Sequence, residues 1–462
     1  MTQTNSSPTE AALAELRTDF TGRVIGPADP DYAEARTVFN AMIDRSPGAI
    51  AQCETVRDVV GAVRFARERG LEIAVRGGGH GVAGKALTDG GLVVDLRRMN
   101  GVVVDPGART VRVGGGATMG HLDRAVQTHG LATTGGRVST TGVGGFVLGG
   151  GSGWLERKFG LACDNLLAVE LVTADGEAVR AAGDENPELF WALHGGGGNF
   201  GVATSLTLRL HPLSAMTLAL LLWEPGAGPE VVRAFRDFVA TAPDEVGGAV
   251  LYLTAPPEPF VPEPLVGRLA CAVLLTYAGD EETGRGVLRP MLGLGHVGGM
   301  VTGLPYADLQ SMLDDPPGYR NHWSAEYLED FPDQAVELFC SGADRMVVPS
   351  PSQHVLFPQG GAVARSGADY PVPWRRAPWA VHPLGLWADP ADDDRAREWA
   401  RAVRDDMRPW STGDVYLNFI GDEGEQRVAA GFGADNHRRL AAVKSRYDPD
   451  NVFHLNHNIK PG

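Results

Sequence analysis

Three places in the chain combine chemically capable residue types with a spacing that would present them together. The first is Ala74-Val75-Arg76-Gly77-Gly78-Gly79-His80-Gly81. Consecutive glycines let backbone N–H groups approach an anion more closely than side chains would allow. A histidine at the tip of such a loop is a nucleophile or base held beside whatever the loop cradles, here read as a phosphate-bearing cofactor. The plain alternative is a loop histidine that only hydrogen-bonds its neighbours. The second place is Tyr416-Leu417-Asn418, where a phenol and an amide at i and i+2 would share one face of a strand. Its plain alternative is a sheet tyrosine packed in the core. The third, His454 and His457, has metal-like spacing, but no carboxylate or cysteine joins the pair, so a metal site is rejected.

The elements that must carry these groups can be read from period and punctuation. Thr55-x-x-Asp58 has the form of a capping box, and Val56, Val59, Val60, Val63 and Ala66 follow at helical spacing until Gly70. A strand over 72–75 then enters the glycine loop, giving a strand–helix–strand unit over 49–75. The loop leaves through 85–91 into another strand, 92–96, rather than into a helix. That excludes the dinucleotide fingerprint, whose pyrophosphate sits on a helix N-terminus. Strands at 102–105 and 110–113, a helix at 118–129, a hairpin of 166–173 with 177–180 and a strand at 202–210 follow. Beyond Pro212 the glycine density falls. Strands are expected at 215–223, 268–277 and 415–420, and helices near 228–241, 280–293, 332–342 and 434–446, with another beginning at 389–394. The chain divides into a cofactor domain over 1–213 with a disordered tail at 1–8, an inserted domain over 214–412, and a return over 413–462.

Composition narrows the function classes. The 462 residues suffice for two domains, or three small ones, each with a proper core, and 43% hydrophobic with 21% charged residues is ordinary for a globular protein. A net charge of −16 argues against nucleic acid or an anionic membrane surface as partner and suits a small neutral or cationic substrate. The four cysteines, Cys53, Cys163, Cys271 and Cys340, lie far apart with no C-x-x-C pair and read as buried or free thiols of a reducing compartment. No signal-peptide pattern opens the sequence, and the longest apolar run, 216–223, is too short to span a bilayer. A cytoplasmic enzyme is expected, and nothing in the sequence sets an oligomeric state.

The later glycine blocks add a resemblance. The chain resembles the berberine-bridge-enzyme-like oxidases, a branch of the vanillyl-alcohol-oxidase superfamily with a p-cresol-methylhydroxylase-type FAD domain. The ordered set begins with Arg76-Gly-Gly-Gly-His80, Val93-Val-Asp-Leu96, Val113-Gly-Gly-Gly-Ala117, Gly135-Gly-Arg137 and Gly142-Val-Gly-Gly145. It continues through Gly149-Gly-Gly-Ser-Gly153, Gly160-Leu-Ala-Cys-Asp164-Asn165, Glu188-Leu-Phe-Trp191 and Gly195-Gly-Gly-Gly-Asn199-Phe-Gly201. Tyr447-Asp-Pro, Asn451-Val-Phe453 and Asn456-His-Asn458 close it, so the resemblance covers most of 45–213 and 413–462.

The resemblance implies an α+β fold: a two-subdomain FAD-binding domain plus an inserted α+β substrate domain with an antiparallel sheet. FAD would lie against Arg76, Gly77, Gly78, Gly79, His80, Gly81, Gly135, Thr141, Gly142, Gly145, Gly201, Val202, Asn456 and Asn458. In the family, the histidine matching His80 is bonded to the flavin 8α-methyl carbon, and a cysteine after Gly-Gly-Arg/Thr often adds a second bond. Val138 holds that second position here, so a single attachment through His80 is implied. Thr141 stands where the family tunes dioxygen access, and its small size argues for an oxidase. Tyr416 and Asn418 match the catalytic Tyr-x-Asn pair, with Tyr416 as base. A free phenol has a pKa of about 10, so Tyr416 needs a positive neighbour, for which Arg365 is the candidate. Phe419 stands where a second tyrosine is usual and cannot move a proton. Arg365, Tyr370 and Trp374, with Trp323 and Trp379, are the candidate substrate pocket.

The expected activity is that of an FAD-dependent oxidase. It takes a hydride from a C–H beside oxygen or nitrogen of a small organic substrate and passes the electrons to dioxygen, giving hydrogen peroxide. A secondary metabolite or cyclic amine is favoured over a sugar, and the lone attachment resembles that of amine-oxidising members. The alternatives are a dehydrogenase or desaturase with an organic acceptor, and a flavin-carrying small-molecule-binding protein without turnover.

Overall fold

Local rules stated in the sequence are obeyed where the glycine loop is built. The computed structural model describes residues 7–462, so positions 1–6 of the expected disordered tail lie outside the described residues. The helix Val56–Glu68 begins at the expected capping box: Thr55 Oγ1 accepts the Asp58 N–H at 3.2 Å, and the Asp58 carboxylate accepts the Thr55 N–H at 2.9 Å. The strands Ala49–Gln52 and Ile73–Arg76 flank that helix in sequence, but they do not pair with each other. Leu92–Asp95 lies between them and runs parallel to both, and Arg23–Ile25 completes the four-stranded sheet on the far side of Ala49–Gln52. This register sets Arg76 opposite Asp95, and their buried side chains pair at 2.6 Å just where the chain enters the glycine loop.

A second, antiparallel sheet follows. Its order is Val102–Asp105, Thr110–Gly114, Val202–Arg209, Leu166–Val172 and Ala178–Ala182, and the last two strands form the expected hairpin. The glycine blocks of the sequence lie in the connections of this region.

The third sheet is formed wholly within 216–387. Its eight strands run in the order Gly298–Leu304, Met216–Trp223, Leu269–Tyr277, Val246–Thr254, Gln353–Pro358, Trp379–Trp387 and Arg320–Trp323, with Glu326–Leu328 also paired to Trp379–Trp387. Alternate residues divide the two faces. Leu221, Val250, Val273 and Val381 pack under the helices Gly228–Thr241, Glu281–Leu292, Asp333–Gly342 and Asp393–Met407, among Phe235, Met291, Phe339 and Trp399. Leu220, Leu251, Leu274, Phe357 and His382 are turned to the opposite face, towards the glycine-rich region. Both faces are therefore covered, which is why the run at 216–223 is apolar at nearly every position.

The C-terminal segment returns to the first half of the chain. The buried Lys444 ammonium donates to the Asn199 and Phe453 carbonyls at 2.6 and 2.9 Å and to Asp448 at 2.6 Å. Asn199 in turn donates to the His457 carbonyl and accepts the Ile459 N–H. The strand expected at 415–420 is absent: Tyr416 has extended backbone, and Leu417–Phe419 turns as a single 3-10 helix. Among the described residues no helix is long and apolar enough to cross a membrane.

Candidate active site

The glycine-rich connections and the third sheet share one cavity of about 1000 Å³. One wall is made by 77–83, 141–149, 195–199 and 453–457, and the facing wall by side chains such as Leu220, Leu251, Leu274 and Phe357.

The first wall consists largely of backbone, for two distinct reasons. Gly78 and Gly142 abut directly: a Cβ on Gly78 would sit 2.5 Å from the Gly142 nitrogen, and one on Gly142 would sit 2.4 Å from the Gly78 nitrogen. Close approach of two loops is the function of these glycines. At Gly81, Gly145, Gly197 and Gly198, by contrast, an added Cβ would meet no atom of the described residues within 4 Å, and all four positions line the cavity. These are places where a side chain would occupy space that belongs to a ligand. A long, apolar-walled cleft whose glycine side is left open in this way fits an FAD.

His80 stands at the end of this cradle. Its ring stacks on Phe39 with centroids 3.8 Å apart, and Nε2 lies 3.3 Å from Thr140 Oγ1. Burial pushes its pKa down to about 4, against the pull of Asp314, so the imidazole is neutral at physiological pH and keeps a free lone pair. Val138 and Thr141 also line the cavity. Cys163 does not; it is fully buried, and burial pushes its thiol far up.

The sequence-expected cofactor residues are not all placed alike. Gly77, Gly78, Gly79, His80, Gly81, Thr141, Gly142, Gly145, Gly201 and Asn456 line the cavity. Arg76, Gly135, Val202 and Asn458 do not. The Arg76 guanidinium is engaged by Asp95 and the Thr37 carbonyl. Gly135 faces Gln310 and Tyr306, away from the cleft. Val202 packs into the core with Val172 and Leu92, leaving Gly201 and Ala203 to form the wall. The chain turns Asn456 and His457 to the cavity and carries Asn458 past it. Asn456 Oδ1 is a buried acceptor on this wall without a partner among the described residues.

Tyr416 and Asn418 meet although they are not on a strand. The Tyr416 hydroxyl, almost wholly buried, accepts Asn418 Nδ2–H at 2.9 Å and the Gly151 N–H at 3.1 Å. Both bonds use the oxygen as acceptor, so its own proton is committed to neither, and Tyr416 lines the cavity. Burial pushes the phenol above its ordinary range, while Asn418, backbone N–H groups and Arg137 act the other way. The arrangement favours a neutral, donating phenol over a phenolate.

Arg137 supplies the positive charge expected of Arg365. It lies 4.0 Å over the Phe357 ring, donates to the Ser152 carbonyl and hydroxyl at 3.0 and 3.1 Å, and lines the cavity. Arg365 is instead on the surface, ion-paired with Asp244. Tyr370 stacks on His194 at 3.8 Å, and Trp374 packs in the core against Tyr416 and Tyr327 at 4.6 and 5.3 Å. None of the three lines the cavity. Trp323 does, 6.2 Å from the His80 ring, whereas Trp379 packs against Phe331 on the helical side of the sheet.

Sequence reasoning missed the part played by Arg137 and, on the third sheet, His382. His382 reaches the cavity beside Leu384, and its ring stacks on Phe419 at 4.2 Å. A signal existed: Ala380, His382 and Leu384 alternate with Val381 and Pro383 along one strand, and a polar residue in an otherwise apolar face marks a lined cavity. Among the described residues no group of three or more His, Cys, Asp or Glu side chains is placed to hold a metal.

A glycine-built cleft on two small sheets, closed by a large antiparallel sheet, defines the architecture of a flavin-linked oxidoreductase. The profile of the FAD binding domain family matches residues 47–182, and that of the berberine and berberine-like family matches residues 415–460. The chain is 31% identical over 460 residues to (R)-6-hydroxynicotine oxidase of Paenarthrobacter nicotinovorans, covering 95% of this chain and 97% of that protein. The crystal structure of 6-hydroxy-D-nicotine oxidase from Arthrobacter nicotinovorans superposes with a TM-score of 0.85 at 29% identity, over 96% of this chain and 98% of that one. A berberine-bridge-like protein of Physcomitrella patens shares the fold at a TM-score of 0.86 and 23% identity, over 97% and 99% of the two chains. The chain belongs to the berberine-bridge-enzyme-like family of FAD-linked oxidoreductases.

Proposed function

We propose that the protein is an oxidase that holds FAD by one covalent bond, from His80, and oxidises a small organic substrate at a C–H beside oxygen or nitrogen. Dioxygen is the electron acceptor and hydrogen peroxide the product, with a secondary metabolite or cyclic amine as substrate and the cytoplasm as its place of work. The observation that carries this reading is the presence, on one cavity, of an open glycine cradle, a neutral His80 and the Tyr416–Asn418–Arg137 cluster.

Bound FAD supplies the hydride acceptor. The chain supplies the rest. A neutral imidazole nitrogen is the nucleophile that an 8α attachment requires, and Val138 offers no second one. Tyr416 donates its free proton to the substrate heteroatom and so fixes which C–H faces the cofactor. The side chains of the third sheet exclude water around the substrate's apolar body. Relatives that carry the name of 6-hydroxynicotine oxidase support an amine within the substrate range.

Acid precipitation followed by peptide mass spectrometry tests the tether. A yellow pellet with one FAD on the His80 peptide is expected, and colour released to the supernatant overturns it. His80→Ala moves the colour to the supernatant. Peroxide release over amines, alcohols and sugars tests the reaction, and slow reoxidation of the reduced flavin by air in stopped flow would remove the oxidase claim.

A further inference from the structure

We infer that His382 accepts the substrate's O–H or N–H proton through Nε2, making it the base of the reaction proposed above, on which this inference rests. The ring is almost wholly buried, and its Nδ1 lies 2.7 Å from the Ser324 carbonyl. A carbonyl can only accept, so Nδ1 carries the hydrogen, and a neutral ring then has a bare lone pair on Nε2. Nε2 is buried and has no partner among the described residues, while the side chain lines the cavity. A buried acceptor left without a donor costs about 1–3 kcal/mol, so its retention in a substrate wall points to a partner that arrives with the substrate.

The surroundings hold the ring in that state. Phe419 stacks on it with an interplanar angle of 10°, and Trp323 meets it edge-on at 5.7 Å. These contacts fix the direction of the Nε2 lone pair. Burial disfavours its protonation, and so does Arg137, which lines the same cavity, while His354 lies opposite Pro383 on the neighbouring strand. Glu423 sits behind Ser324, bound to that residue's hydroxyl. Tyr416 packs on the same Phe419 ring, 4.8 Å away. Of the two groups packed on the Phe419 ring, the Tyr416 hydroxyl is a donor and His382 Nε2 an acceptor. Phe419, which cannot move a proton itself, is the common platform on which both are set.

The step balances without a further reactant. The substrate C–H breaks with its electron pair and the hydride leaves to the cofactor. The O–H or N–H proton passes to His382 Nε2, and the carbon–heteroatom double bond forms. Release of that proton to solvent restores the neutral ring.

Two measurements test the assignment. Histidine-selective 15N NMR of the whole protein reads the tautomer independently of turnover, with the His382 signals assigned by their loss in His382→Gln or, if that variant does not fold, by contacts with Phe419 and Trp323 protons. A protonated Nδ1 and bare Nε2 are expected from about pH 5 to about pH 8. Benzyl alcohol is expected to shift the Nε2 resonance, and toluene, which lacks the hydroxyl, is not. An Nε2–H tautomer, a cationic ring, or equal response to both probes overturns the inference. In anaerobic stopped flow, His382→Gln is expected to slow flavin reduction by about 10²–10⁴-fold, with flavin content unchanged, partial rescue by added imidazole, and a rate that rises with pH. A rate within threefold of the native protein and an unchanged pH profile overturn it. Protein without bound flavin would overturn the oxidase reading alone, because the tautomer and the probe shifts are read without it.

Discussion

The two walls of the cavity achieve recognition in opposite ways. The cofactor wall is defined by side chains that are missing: Gly78 and Gly142 let two loops touch, and Gly81, Gly145, Gly197 and Gly198 leave space open. The substrate wall is defined by side chains that are present, with leucines and Phe357 around the polar groups His382, Tyr416 and Arg137. A wall of backbone tolerates no added atom and so fixes one ligand shape. A wall of side chains can change its lining residue by residue and so sets which substrate fits. The comparison predicts that substitutions on the two walls fail differently.

The largest effect is expected from Gly78→Ala. Its Cβ would strike backbone, which cannot rotate away, so the loops separate at a cost of about 1–3 kcal/mol. Flavin content by absorbance and the melting temperature should fall together. A fully flavinylated, equally stable variant would break the account of this wall. Tyr416→Phe comes next, because it removes the proposed donor to substrate and takes the hydroxyl acceptor from the Gly151 N–H, while Asn418 Nδ2 keeps the Gly145 and Phe146 carbonyls. Flavin reduction should slow by about 10–100-fold, which is about 1.4–2.7 kcal/mol, while the flavin stays bound.

Gly145→Ala separates the two uses of glycine within the cofactor wall. Among the described residues, nothing outside the helix's own backbone lies within 4 Å of the added methyl, and the position is inside the helix Val143–Leu148. Alanine there favours the helix by about 0.5–1 kcal/mol, so the apoprotein should melt no lower while FAD affinity falls about tenfold. Loss of both would show that Gly145 is a packing residue like Gly78. Leu220→Ala, on the opposite wall, removes apolar surface worth about 0.8 kcal/mol per methylene. It should raise KM several-fold for an apolar substrate and leave kcat and flavin content near native values.

The smallest effect lies where the two regions meet. Asp123, on the helix Met119–Gln127, is buried against Gln310 of the helix Tyr306–Met312, and burial pushes its carboxyl up to about 7. A carboxyl raised in the folded state stabilises the fold below its unfolded pKa, near 4, and that contribution is lost as pH climbs from about 4 through about 7. Asp123→Asn should therefore melt a few degrees higher than the native protein at about pH 8 and equally at about pH 4. A higher melting point at the acid end would reverse the sign and refute the burial argument.

Legibility in the sequence follows the same division. The capping box at Thr55, the strand–loop–strand exit after Gly81 and the hairpin at Asp175-Gly176 were all readable, because each depends on neighbours a few residues apart. The pairing of Leu92–Asp95 between the two flanking strands was not readable, since insertion of a strand is a long-range choice. On the substrate side, Arg365, Tyr370 and Trp374 had suitable chemistry in a suitable region, yet Asp244 holds Arg365 at the surface, Tyr370 stacks on His194, and Trp374 packs in the core behind Tyr416. Arg137 was noted only as part of a glycine motif, although it carries the charge nearest the tyrosine's chemistry.

The sequence by itself determined the fold class and the FAD-binding family, because runs of glycine contiguous in the chain express a local backbone requirement, and such a requirement leaves a local trace. Only the tertiary structure decided which polar groups face the substrate. Residues 137, 382 and 416 come from three different parts of the chain, and their meeting depends on sheet register and on which alternate positions turn inward. A shift of one residue along Trp379–Trp387 would bury His382 among the helices and give the cavity a different acid–base character.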